Sequence, residues 1–116
     1  MATLKRLGIL KPAASDFGLA PSQGNLLFSA IGHDYLTSVV ASNTLATTGN
    51  ICVYVLPGGA TVTTNPAEYG LITYNLSLSG YNTYETFRFA VNQNDEVWVA
   101  GSEGISYYIQ GIEQAV

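Results

Sequence analysis

Asn50-Ile51-Cys52-Val53-Tyr54-Val55-Leu56, followed at once by Pro57-Gly58-Gly59, is the stretch on which the fold turns. β-branched and aromatic residues dominate it, and side chains alternate across a strand. Ile51, Val53 and Val55 therefore share one face, and Cys52, Tyr54 and Leu56 the other. Both faces are apolar. Such a run reads as a strand covered on both sides, hence a central one. Pro57 ends it by lacking the ladder donor, and the two glycines supply turn dihedrals.

The same unit, a short alternating run and then a break, recurs on both sides. Upstream, Asn25-Leu26-Leu27-Phe28-Ser29-Ala30-Ile31 passes through Gly32-His33-Asp34 into Tyr35 to Ser42, read as two strands joined by a tight turn. Downstream, Tyr69 to Leu78 reads as a strand, and Ser79-Gly80-Tyr81-Asn82 as a turn. In Thr83 to Val91 the residues Phe87, Phe89 and Val91 alternate with Arg88 and Ala90, which assigns the three to the core. Asn92 to Asp95 is a turn cluster. Gly101-Ser102-Glu103-Gly104 is read as closing a hairpin between Glu96 to Ala100 and Ile105 to Glu113. The rhythm predicts an all-β, antiparallel sandwich or barrel of seven or eight strands. No segment sustains helical periodicity.

Residues 1–24 differ in composition: an apolar and basic opening, Leu4 to Leu10, then a Pro, Ala, Ser and Gly stretch. They read as an N-terminal arm or edge strand followed by irregular structure, with the sandwich domain over 25–116. A chain of 116 residues is one domain, large enough to bury a core unaided.

Charged residues are only 10% of the chain and hydrophobic ones 47%. So neutral a surface suits either an exterior covered by neighbouring subunits or a small domain coated with Thr, Ser and Asn. The net charge of −4 is unevenly spread: Lys5, Arg6 and Lys11 lie near the start, and only Arg88 follows. From residue 12 onward one base faces eight acids, a balance that repels phosphates and excludes nucleic acid as a partner. No apolar stretch reaches 18 residues and no apolar signal-peptide region precedes Pro12, so neither a membrane span nor an export signal is expected.

Reactive chemistry is sparse. Cys52 is the only cysteine, so no intrachain disulfide exists, and within its strand it reads as a small hydrophobe. A metal site needs several converging His and carboxylate ligands, and this chain has a single histidine, His33, in a turn. Gly58-Gly59 lacks the lysine and hydroxyl of a phosphate loop. No carboxylate pair is singled out for glycosidase chemistry. The expectation is a non-enzymatic protein without cofactor or metal.

Two sets of residues remain as candidates for contact. The basic opening, with Leu4, Lys5, Arg6, Leu7 and Lys11, suits an arm that adds a strand to, or lies along, an acidic neighbour. The aromatics Tyr54, Tyr84, Trp98 and Tyr108, with their polar tips, suit a protein-binding face or a sugar-stacking platform; core placement is the alternative.

A resemblance joins these observations. Leu4-Lys5-Arg6-Leu7-Gly8-Ile9-Leu10-Lys11-Pro12, the pair Thr37 to Asn43 and Gly49 to Val55, and the ending Asn94-Asp95-Glu96-Val97-Trp98-Val99 with Ile105-Ser106-Tyr107 and Gly111-Ile112-Glu113 are similar to the small β-sandwich virion proteins of tailed bacteriophages. That resemblance implies a jelly-roll-like sandwich, a homo-oligomer and often a trimer. It implies a role in decorating or cementing the capsid exterior by binding the major capsid protein or other virion proteins. Its alternative is a tail or fibre component that binds host-surface carbohydrate. The resemblance carries no catalytic residue. The chain departs from it at Leu27 to Asp34, where such proteins more often open with Tyr-x-Val-Pro.

Overall fold

A computed structural model describes residues 3–12, 24–58 and 70–114. Nine strands follow in order: β1 (Leu4–Leu10), β2 (Asn25–Ser29), β3 (Tyr35–Asn43), β4 (Gly49–Leu56), β5 (Gly70–Leu78), β6 (Thr83–Glu85), β7 (Phe89–Val91), β8 (Glu96–Gly101) and β9 (Ile105–Glu113). All pairing is antiparallel and falls into two sheets. One runs β1-β9-β3-β6, with β7 also on β3; the other runs β2-β8-β4-β5. They are called the β3 sheet and the β4 sheet below.

The pairs are nested. β4 bonds β5, β3 bonds β6 and β7, β2 bonds β8, and β1 bonds β9, so the chain is one long doubled ribbon. Rolling that ribbon sets β9 beside β3 and β8 beside β4, which is the jelly-roll arrangement. Only β4 and β5 are both consecutive and paired. The tight turn expected between β2 and β3 is a crossing between the sheets, and so, in place of the expected hairpin, is the connection from β8 to β9. Gly104 makes the second possible: its φ of 87° is a left-handed value that glycine adopts without Cβ strain.

The expected strand over Thr83 to Val91 is two pieces, which brings the count to nine. β6 bonds Val40 to Ser42 of β3, β7 bonds Tyr35 to Thr37, and residues 86–88 between them leave the ladder. Thr86 bridges the gap: its N–H donates to the Val39 carbonyl at 2.9 Å, and its Oγ1 accepts from the Val39 N–H at 3.0 Å. This shifts the alternation by one. Phe89 and Val91 are core residues as expected, but Phe87 is 64% exposed and Thr86 takes the inward place.

The inner faces meet in a core of β-branched and aromatic side chains, with Ile51, Val53, Val97, Val99, Ile105 and Ile109 fully covered. β4 is central, flanked by β8 and β5, and its second face is buried too. Tyr107 crosses the core from β9 and donates its hydroxyl to the Ala100 carbonyl of β8 at 3.2 Å, linking the sheets. At one margin the layers pinch together. A Cβ on Gly8 would stand 2.5 Å from the Leu27 carbonyl oxygen, so only glycine lets β1 and β2 approach that closely. At one end, buried Asn43 holds two loops. Its Nδ2 donates to the carbonyls of Thr47 at 2.8 Å and Leu78 at 3.1 Å, and its Oδ1 accepts from the Leu45 N–H at 3.0 Å.

Candidate interaction surface

The basic opening is, over residues 4–10, strand β1 at the margin of the β3 sheet. It is bonded to β9 from Leu4 opposite Ile112 to Leu10 opposite Tyr107. Leu7 and Leu10 pack against the core. Leu4, Arg6 and Ile9 point away from it, and Leu4 and Ile9 remain 63% and 61% exposed. Lys5 is engaged: its Nζ lies 3.2 Å from Oε2 of Glu113, whose Oε1 lies 3.1 Å from His33 Nε2. Lys11 is exposed just past the strand. Over residues 4–10 the opening is thus an edge strand of the sandwich, one of the two readings given to it. Of its five candidate residues, Leu7 belongs to the core, Lys5 to an ion pair, and Leu4, Arg6 and Lys11 face outward.

Among the described residues each of the four sheet margins is irregular, by a register shift or by a break. β1 bulges at Leu7 and β2 at Leu27, since each falls in a register shift against its partner. β5 slips twice against β4, beside Asn75 with its φ of 50°. β6 and β7 are separated by residues 86–88. Interruptions of this kind blunt the pairing of a further strand. The strand addition expected of the basic opening therefore has no continuous template.

The outer face of the β3 sheet is organised differently. Ile9, Tyr108, Val40 and Glu85 stand opposite one another across β1, β9, β3 and β6. A second row holds Leu4, Ile112, Leu36 and Ala90. Between these largely apolar rows runs a polar one in which Arg6 faces Gln110 and Gln110 faces Ser38. Gln110 Nε2 donates to Ser38 Oγ at 3.2 Å and to Glu85 Oε2 at 3.3 Å, and Ser38 Oγ donates to that same oxygen at 3.2 Å. Arg88 joins Leu4, Leu36 and Gln110 around a shallow depression on this face. Sequence reasoning missed Leu36, Val40, Glu85, Arg88, Gln110 and Ile112 as surface residues of one face. Their period-two alternation was visible, but which strands lie side by side was not.

The four candidate aromatics do not share a face. Tyr54 has no exposed surface, which removes it as a contact residue of this chain. It stacks on Trp98, directly across the strand pair, with centroids 6.5 Å apart and planes at 23°. The indole is half-buried on the outer side of the β4 sheet and donates Nε1–H to Glu96 Oε1 at 3.2 Å. Tyr84, opposite Ala41, turns inward, packs on the core and brings its hydroxyl to 3.4 Å from Thr73 Oγ1. Tyr108 alone lies on the striped outer face, half-buried between Ile9 and Val40.

Among the described residues no group of three or more His, Cys, Asp or Glu side chains could hold a metal ion, and no helix is long and apolar enough to cross a membrane. Tyr107 is a buried titratable group with a shifted pKa. Burial, with a smaller contribution from Cys52, pushes its phenol far above the tyrosine range. Its folded-state pKa is raised, so above about pH 10 only the unfolded chain releases that proton. Stability is expected to be complete below that pH and to fall as pH rises past it. Urea midpoints at about pH 9 and about pH 11 should converge in Tyr107→Phe relative to the parent; an unaltered alkaline loss would refute the assignment.

Nested antiparallel pairing, two four-position sheets and a side-chain-filled interior define a jelly-roll β-sandwich. Solved structures similar to it include chains of viral particles. A chain in the capsid of Ralstonia phage GP4 matches with 14% identity and a TM-score of 0.52, covering 100% of this chain and 86% of that one. A chain of the T13 particle of infectious bursal disease virus matches with 11% identity and a TM-score of 0.56, over 97% of this chain and 31% of that one. The Gx strain of that virus gives 8% identity and 0.51, over 100% and 38%. This chain thus spans about a third of the length of the bursal disease virus chains. No protein-family model matches, and no curated protein does.

Proposed function

We propose that this chain is a structural virion protein of the decoration or cement kind, which binds the major capsid protein lattice on the particle exterior. One observation carries the reading: the jelly roll is similar, over 100% of this chain and 86% of that one, to a chain in the capsid of Ralstonia phage GP4. The surface agrees with it. A chain with 10% charged residues presents a striped apolar sheet face, as suits a subunit covered by neighbours. No catalytic residue is assigned. Self-association, with a trimer as the resemblance implies, belongs to the same reading.

The carbohydrate-binding alternative in a tail or fibre draws less support. Its platforms would be Trp98 and Tyr108, which lie on different sheets and cannot grip one sugar together. The test is location. In particles produced from the genome that encodes this chain and banded on a density gradient, mass spectrometry is expected to find it in fixed ratio to the shell protein. Its absence from the particles would overturn the proposal, and its confinement to tail fractions would establish the alternative.

A further inference from the structure

We propose that the outer face of the β3 sheet is the surface that lies against the shell, and that its occupant is a protein surface of apolar patches set with carboxylates. This rests on the capsid reading and adds the contact face and the chemistry of its partner. Three observations converge on it. The first is pattern: two apolar rows flank the polar row of Arg6, Gln110 and Ser38 across four strands. β9 and β3, each about 30 Å long, with the shorter β1 and the β6 and β7 pieces beside them at about 4.8 Å spacing, present roughly 500 Å² in projection. That is over half of the ~800 Å² a partner buries in a standard interface.

The second is charge. Two of the chain's four bases, Arg6 and Arg88, border this face, and no carboxylate among the described residues is in ion-pair contact with either. The face's own carboxylate, Glu85, is already occupied by Ser38 and Gln110. Two arginines against one engaged carboxylate leave the face positive in a chain whose net charge is −4. Two copies stacked through it would repel, whereas a partner bearing carboxylates opposite the polar row is attracted. The third is exclusion. Among the described residues every margin carries a register shift or a break, which blunts strand addition and favours contact through a sheet face.

Particles purified from a lysate lacking this chain serve as the probe, and bound protein is measured by co-sedimentation at low and high salt. The parent chain is expected to bind, less tightly at high salt. Ile9→Asp, at an exposed position of one apolar row, and the double variant Arg6→Glu, Arg88→Glu should each bind about tenfold more weakly or worse, with unchanged melting temperatures. Leu4→Asp, equally exposed in the other row, is the second variant should Ile9→Asp fold poorly. Tyr81→Ser, exposed on a loop away from the face, should bind as the parent does. If the parent binds and the face variants bind equally well, the face is wrong while the capsid reading stands. If the parent does not bind, both fall. Loss of binding in Tyr81→Ser alone would move the interface to the loop end. Self-association that Ile9→Asp abolishes, without particle binding, would assign the face to a second copy and overturn the proposal.

Discussion

A chain lacking residues 1–11 is expected to lose its fold. Read as an arm, the basic opening is dispensable for folding and matters only for binding. As β1 it is paired with β9 along its length and lays Leu7 and Leu10 on the core. Covering an aliphatic side chain contributes about 1.5–3 kcal/mol, so losing two, together with the β9 pairing, costs on the order of 4 kcal/mol even allowing for partial exposure. That is a large fraction of the 5–15 kcal/mol by which a domain of this size is stable. The deletion also bares β9, a long strand without β1's bulge, and invites aggregation. Circular dichroism and thermal melting check it. A truncated chain with an undiminished melting temperature would show that β1 is an appendage after all.

The second large effect concerns Tyr54. Tyr54→Ala is expected to destabilise the protein by about 3–5 kcal/mol, the usual cost of removing a fully buried aromatic. The ring points to the outer side of the β4 sheet, yet none of it is exposed, and it packs with Cys52, Ala100 and Trp98 in a small second core. Trp98→Ala removes a half-buried ring from the same cluster and should cost less than Tyr54→Ala. Urea denaturation of both variants measures the difference. A loss below about 1 kcal/mol in Tyr54→Ala would mean that the residue is not a core element.

How far the sequence could be read follows from which interactions are local. The parity of β4 was legible in six residues, because alternation is a property of one strand: Ile51, Val53 and Val55 face the main core, and Cys52, Tyr54 and Leu56 are buried on the other side. β9 was legible to the residue, between Gly104 and Glu113, for the same reason. Pairing was not. In a nested topology β1 meets β9 across about a hundred residues, and nothing in Leu4 to Leu10 names Ile105 to Glu113 as its neighbour. A turn between two strands likewise does not say whether they pair, and here Gly32 and Gly104 lead from one sheet into the other. Phe87 shows a subtler limit. Residues 86–88 leave the ladder and the alternation changes parity across them, so Phe87 falls outside while Phe89 and Val91 stay inside, and Thr86 has no sequence mark that tells its bridging hydroxyl from an ordinary strand threonine. The striped face was hidden for the same reason as the pairing, since its rows exist only once four strands are placed side by side.

The four irregular margins bear on how such a molecule keeps apart from its own copies at the sheet edges. Many copies made at once in a crowded cell collide repeatedly, and smooth lateral ribbons would let them zip into endless fibrils. Here a kink at Leu7, another at Leu27, the slips beside Asn75 and the gap after Glu85 deny every newcomer a matching run of amides and carbonyls. Irregular margins of this kind oppose the edge-to-edge growth of such sheets into fibrils.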